Sequence, residues 1–350
     1  MNKVYKKYVA LAASAILGVS ALVGCSAAAP TIGTITGGAK SVAAQEVLTA
    51  TDSAASGETT AASASADATG DYSKKDLNTD YDAASAVTIA LNGDSIAAEG
   101  QGVATDGSTV TISAAGTYIL SGSLTDGQII VNAKDMDDVQ LVLDGVDLYC
   151  STSAPIYVKN ADKVILTLAK GSQNTVKDSD NYTYADAAAE EPDAAIFSKV
   201  DLSINGSGSL TVEGSFNDAL GTKDDLTITG GTIDVTAVGK GLHGRDSISV
   251  LDGDITVSAG GDGMQSNNDE DTTKGWIILD GGTFHITAGN DAIQAETALT
   301  VNGGTFNLTS GGGSANAEQR SQDAGFGGRG QVAQPAATDA TATESYKGMK

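Results

Sequence analysis

Asp218, Lys240, Asp262 and Asp291 occupy one position of a repeating frame. If equivalent residues stack on neighbouring coils about 5 Å apart, such carboxylates repel one another. A cation, a proton or a base must offset that repulsion. Lys240 can serve Asp218 and Asp262, but no base stands between Asp262 and Asp291. The run Asn267-Asn268-Asp269-Glu270-Asp271 leaves from the same edge. Clustered hard oxygen ligands suit Ca²⁺, which takes about 6–8 of them. The expected metal set is Asp262, Asp269, Asp271 and Asp291, with Asp218 beside it. The competing reading is a solvated acidic loop plus turn aspartates that bond their own backbone.

A basic column, Lys159, Lys199, Lys223 and Arg245, lies beside this one, and Asp201, Asp224, Asp225 and Asp246 follow it closely. It is either a charge-compensated ladder or a strip that receives the carboxylates of an acidic sugar polymer. Arg would hold a carboxylate in two parallel bonds, Lys as a point charge. Trp276, the only tryptophan, falls on an outward position where its indole could stack on a sugar ring. With Tyr182 and Tyr184 it completes the candidate carbohydrate contacts; alternatively these rings cover gaps at the base of loops. His243 and His285 are the only histidines, and spacing alone assembles no Ser/His/Asp set. A β-elimination enzyme would need a base beside calcium-bound uronate, and Arg245 or Lys223 could be cast in that role. Phosphate loop, dinucleotide fingerprint and zinc spacing are all missing.

The elements that must position these residues are legible in 217–310. Four copies of one pattern share a 22-residue frame, the third carrying seven extra residues after Asn267. Apolar columns run through the copies: Leu226, Ile248, Ile277, Leu299; Ile228, Val250, Leu279, Val301; Ile233, Ile255, Phe284, Phe306; Val235, Val257, Ile286, Leu308. Within a copy, apolar and polar residues alternate, which is strand spacing. Glycine pairs such as Gly230-Gly231 and Gly281-Gly282 mark a tight corner between two strands. A further column, Leu220, Leu242, Met264 and Ile293, supplies a third short strand. Three short strands per coil without a helical segment describe a parallel β-helix. Val139–Leu143 and Val164–Leu168 read as earlier turns of the same solenoid, and the strands over 87–131 as its N-terminal cap. Two insertions, Gly171–Pro192 and Asn268–Lys274, leave the coils.

Residues 1–24 form a leader: Lys3, Lys6 and Lys7, then the apolar run Tyr8–Val23. It ends in Leu22-Val23-Gly24-Cys25, which resembles the lipobox of bacterial lipoproteins, in which the Cys is acylated. Cys150, the other cysteine, then has no partner for a disulfide. Residues 25–82 read as an Ala/Ser/Thr-rich disordered tether, 83–312 as the β-helix with its cap strands, and 313–345 as a disordered insertion. Residues 346–350 begin a further, cut-off coil, since Lys347-Gly348-Met349-Lys350 copies Asp262-Gly263-Met264-Gln265. The formal charge is −24, from 44 acids against 20 bases. Such a surface repels nucleic acid and anionic lipid, and accepts a polyanionic sugar only through bridging divalent cations. With 5% aromatic residues, the core must be built from stacked aliphatic rows.

Three stretches carry a family resemblance: Ile204–Val212, Lys223–Ala237 with the sequence KDDLTITGGTIDVTA, and 260–312 with GGDGMQSNNDEDTTKGWIILDGGTFHITAG and DAIQAETALTVNGGTFNLTSGG. Together they resemble bacterial carbohydrate-binding domain-containing β-helix lipoproteins, which are similar in fold to pectate-type polysaccharide lyases. The resemblance implies calcium-assisted binding of an acidic plant polysaccharide such as polygalacturonate, or of cellulose, without established lyase activity. Lys240 departs from it, standing where the repeat usually has an acid. The expectation is a right-handed, single-stranded parallel β-helix that is monomeric and lipid-anchored outside a Gram-positive cell membrane. It would act as a sugar-capture module. The alternatives are a pectate-type lyase and a structural surface stalk or adhesin.

Overall fold

In a computed structural model of the chain, residues 69–184, 186, 190–311 and 347–350 are described. The leader, Cys25, most of the expected tether and the expected insertion 313–345 lie outside the described residues. The chain winds as a parallel β-helix. One stack of short strands runs from Thr109–Ile112 through Gln128–Asn132, Ile156–Asn160, Ala194–Ser198, Asp218–Thr222, Leu242–Gly244 and Met264–Ser266 to Ile293–Ala295. A second stack holds Lys163–Leu168, Asp201–Gly206, Asp225–Ile228, Ser247–Val250, Trp276–Leu279 and Ala298–Val301. A third holds Gln173–Lys177, Ser209–Gly214, Thr232–Ala237, Asp254–Ala259, Thr283–Ala288 and Thr305–Thr309. The long strand Asp138–Tyr149 belongs to both of the last two stacks and joins them into one sheet.

The register follows the apolar columns. Leu226 pairs with Ile248, Ile248 with Ile277 and Ile277 with Leu299. Ile233, Ile255, Phe284 and Phe306 form another unbroken row, and Leu220, Leu242, Met264 and Ile293 a third. Side chains inside these rows are fully buried, except in the last coil, where Leu299, Phe306 and Leu308 are only partly covered. Each row presents like on like, so one apolar surface packs against its counterpart on the next coil. Phe284 lies flat on Phe306, centroids 4.8 Å apart at 2°. The second glycine of each corner has positive φ, 99° at Gly231 and 100° at Gly282, a conformation costly for any side chain.

At the N-terminal end, two antiparallel pairs close the solenoid: Val87–Gly93 with Ile96–Ala98, and Val103–Asp106 with Thr109–Ile112. At the other end, Met349 bridges to Ile293, so Lys347–Lys350 extends the first stack by one rung. The antiparallel strands at the N-terminal end cover an apolar row that is otherwise bare.

One segment differs from its expected place. The tether was expected to run through residue 82, yet the described part from Gly70 onward lies on the outer face of the second stack. Here Lys74–Leu77 makes a single helical turn, capped reciprocally by Ser73 and Asp76. Gly70 N and the Tyr72 hydroxyl both donate to Asp280 Oδ2 at 2.8 Å. Asp76 is fully buried. Nothing repeats in this strap, so periodicity carried no signal of its docking.

Candidate functional site

The chain turns from the first stack to the second at a corner that repeats as Lys199-Val200-Asp201, Lys223-Asp224-Asp225 and Arg245-Asp246-Ser247. Strand alternation points Leu202, Leu226 and Ile248 inward, so the residue before each points outward. Register then sets Lys163, Asp201, Asp225, Ser247 and Trp276 side by side on five neighbouring strands. Asp224, one residue earlier, reaches the same place from the turn. Carboxylate oxygens of Asp201, Asp224 and Asp225 lie within 4.8 Å of one another, and all three residues are half-buried.

Three carboxylates this close cannot all carry full charge without a proton or a cation among them. Burial, a hydrogen bond with Asp246 and the charges of Asp201, Asp225 and Asp246 push Asp224 up to about 7. Burial and the charge of Asp225 also raise Asp201. Asp246 goes the other way: burial opposes its ionisation, but Lys274 and Asn268 outweigh it and hold the carboxyl low. The nearest compensating base on the sheet is Lys163, whose Nζ is 3.9 Å from Asp201. The donor set is hard oxygen throughout, which fits a cation of the Ca²⁺ type and not a soft metal.

This arrangement has a measurable pH consequence. Between the ordinary aspartate value of 3.8 and about 7, the folded chain keeps a proton on Asp224 that the unfolded chain has released. Stability should therefore fall as pH rises through that window. Thermal melts in chelator, from about pH 5 to about pH 8, should show the midpoint dropping. Excess Ca²⁺ should flatten the slope.

A cleft of ≈ 110 Å³ opens beside the trio, between the strap and the sheet. Asp201, Asp225, Ser247, Ser249 and Trp276 line its floor, and Asp71, Ser73 and Asp76 its roof. The half-buried Trp276 ends a polar file of acceptors and hydroxyls. An aromatic face beside hydrogen-bonding groups matches a sugar ring, whose faces carry C–H groups and whose rim carries hydroxyls.

With fold and cleft in place, comparison with known proteins is informative. A family profile described as carbohydrate-binding domain-containing protein matches residues 106–350. The chain belongs to this family. A curated member from Acetivibrio thermocellus, of the same description, is 44% identical over 128 residues, 37% of this chain and 45% of the relative. The chain thus spans less than half the length of that relative. A solved structure, described as the polysaccharide lyase-like protein from C. thermocellum in a gadolinium derivative, is 37% identical. It covers 65% of this chain and 95% of its own, with a TM-score of 0.59.

In this family member the residues expected from spacing are used differently. The Asp218, Asp262 and Asp291 column is stacked, but each carboxylate faces a peptide N–H. Asp218 Oδ1 accepts from Lys240 N at 2.7 Å, Asp262 Oδ1 from Asp291 N at 2.9 Å, and Asp291 Oδ1 from Lys347 N. The competing reading expected turn aspartates bonded to their own backbone; these bond instead to the backbone of the coil that follows. Asp271 accepts from Thr273 inside the insertion, and Asn268 Oδ1 gathers the amides of Glu270 and Asp271. Among the described residues the carboxylates that converge are instead Asp201, Asp224 and Asp225. In the sequence these stood out only as counter-charges to the basic column.

That column is largely neutralised. Glu191 takes Lys199 at 3.0 Å and Lys223 at 2.9 Å, Arg245 meets Glu270 at 2.8 Å, and Lys159 lies over the Tyr157 ring. Tyr182 stacks on Phe216 at 4.1 Å and donates to Asp178, while Tyr184 donates to Pro192 O. Tyr182 ties the Gly171–Pro192 insertion to Phe216 beyond it, and Tyr184 packs edge-on against the same ring. His243 is held between Asp218 at 3.2 Å and Asn267 at 2.9 Å. Of the expected sugar contacts, Trp276 alone lines the cleft.

Proposed function

We propose that the protein captures an acidic polysaccharide at this corner, with a divalent cation of the Ca²⁺ type held by Asp201, Asp224 and Asp225 and a sugar ring resting on Trp276. The observation that carries the reading is the convergence of three carboxylates in register with the only tryptophan. The cation would neutralise the trio and offer its remaining positions to a uronate carboxylate. Lys223 and Arg245 would then sit at the margin, relaying between their glutamates and the polymer. Polygalacturonate is the first polymer to test. Membership of a family described as carbohydrate-binding, and a solved relative described as polysaccharide lyase-like, support the class of ligand. The leader with Lys3, Lys6, Lys7 and Cys25 supports presentation outside the cell membrane, held there by acyl chains.

Capture rather than cleavage is favoured because both candidate bases, Lys223 and Arg245, are in ion pairs. An eliminating base must be free to take a proton. Calorimetry with polygalacturonate should give binding in Ca²⁺ that chelator removes. Replacement Trp276→Ala should weaken it roughly tenfold, in line with the usual worth of an aromatic contact. Binding that ignores chelator would remove the cation from this reading, and accumulation of ultraviolet-absorbing unsaturated sugar would turn it into a lyase.

A further inference from the structure

The strap hides a second feature. Asp76 is the one buried residue in the described part of the strap, and its carboxylate is received by a prepared seat. Oδ1 accepts from Ser203 Oγ and from Lys163 Nζ at 2.9 Å. Two further residues bond the Asp76 carbonyl, Asn205 Nδ2 at 3.0 Å from the sheet and Thr229 Oγ1 at 2.9 Å from just past the strand Asp225–Ile228. Ser203 and Asn205 are fully buried, on a sheet face whose neighbouring positions are Thr227 and Ser249. A sheet face covered by its own chain for stability alone is ordinarily apolar. Here the middle of the row, Ser203, Thr227 and Ser249, is hydroxyl, flanked by the buried Ile165 and Ile278.

Leu77 is 50% exposed, and the contacts that hold the segment are hydrogen bonds and ion pairs. Polar contacts exchange readily for polar contacts, because the net gain of each over water is small. The seat is also incompletely used: Asn205 Oδ1 is buried without a hydrogen-bond partner, a costly state that a ligand hydroxyl would relieve. Lys163 links the seat to the trio through Asp201, and both line the cleft.

We infer that the seat formed by Lys163, Ser203 and Asn205 is a binding site for a sugar carboxylate, which Asp76 occupies in its place. This rests on the acidic-polysaccharide reading and deepens it. The trio and Trp276 take one residue of the polymer, and the seat takes the uronate of another once the strap lifts. The strap thereby lowers apparent affinity by the fraction of time it is closed.

The test uses the full chain and trigalacturonate in Ca²⁺, with cellotriose as the neutral control. Asp76→Ala should raise affinity for trigalacturonate about tenfold, the effect of removing a cover that is closed about nine-tenths of the time. Adding Lys163→Met should cancel the gain. A protease site placed in the exposed stretch Asp82–Ser85, cut after folding, should reproduce the gain without any change in the seat. Circular dichroism of the coils shows that each variant is folded. Unchanged affinity after both opening manoeuvres, an equal gain for cellotriose, or a gain that survives Lys163→Met would overturn the inference. Wild-type binding, and its loss in Asp225→Asn, report on the underlying reading separately. If neither the wild-type nor the opened chain binds trigalacturonate, both fall.

Discussion

Asp225→Asn should abolish calcium-dependent polysaccharide binding while leaving the coils intact or slightly steadier. Asp225, like Asp201, belongs to both the cluster and the cleft floor. The amide keeps the acceptor that Ser247 Oγ uses at 2.6 Å, so the local hydrogen bond survives. What disappears is one of three charges. Loss of an outer-shell partner alone costs metal affinity about 10–100-fold, so loss of a direct oxygen ligand should cost about 100-fold or more. Removing the charge also relieves its neighbours, and Asp224 should titrate closer to its ordinary value. In chelator the variant should melt no lower than the parent. A site that is destabilising when unliganded is expected where function and stability compete. Calcium titration followed by tryptophan fluorescence would read the first effect through Trp276, and thermal melts the second. A variant that binds calcium as well as the parent would move the cation elsewhere.

The largest loss of stability should come from Phe284→Ala. This ring is fully buried and stacked flat on Phe306. Aromatic-to-alanine changes in cores cost about 3–5 kcal/mol, and the pair adds about 0.5–1.5 kcal/mol beyond burial. In a solenoid each coil is held mainly by its two neighbours. The damage should therefore fall on 289–310, whose coil has little beyond it. Hydrogen exchange should show protection lost there before it is lost over 217–238. Uniform loss across all coils would argue for a single cooperative unit.

How far the sequence reaches is seen by setting two aspartates side by side. Leu226, Ile248, Ile277 and Leu299 were predictable as one interior row because an even period forces like residues together, and the register is as read. Asp262 and Asp291 were equally predictable as stacked. Their partner was not, because whether a carboxylate at a corner faces a cation or the next peptide N–H depends on a turn of the backbone that residue types do not encode. Asp201, Asp224 and Asp225 escaped for another reason. Two of them share a column and the third joins from the turn, so their meeting appears only once register and corner are both known. The strap could not be found at all by pattern. Its docking depends on Asp76 fitting a seat whose parts, Lys163, Ser203 and Asn205, are scattered over two strands.

The carboxylate-to-amide contacts between coils also have a direction. In every case described, the acceptor belongs to the earlier coil and the donor to the later one: Asp218 to Lys240, Asp262 to Asp291, Asp291 to Lys347. A coil that has just formed therefore already presents the anchor for the one that follows, whereas the reverse order would leave amides waiting for an anion. Synthesis delivers the chain in that same order. Refolding from the C-terminal coils would leave each incoming amide without the carboxylate that receives it in the folded chain.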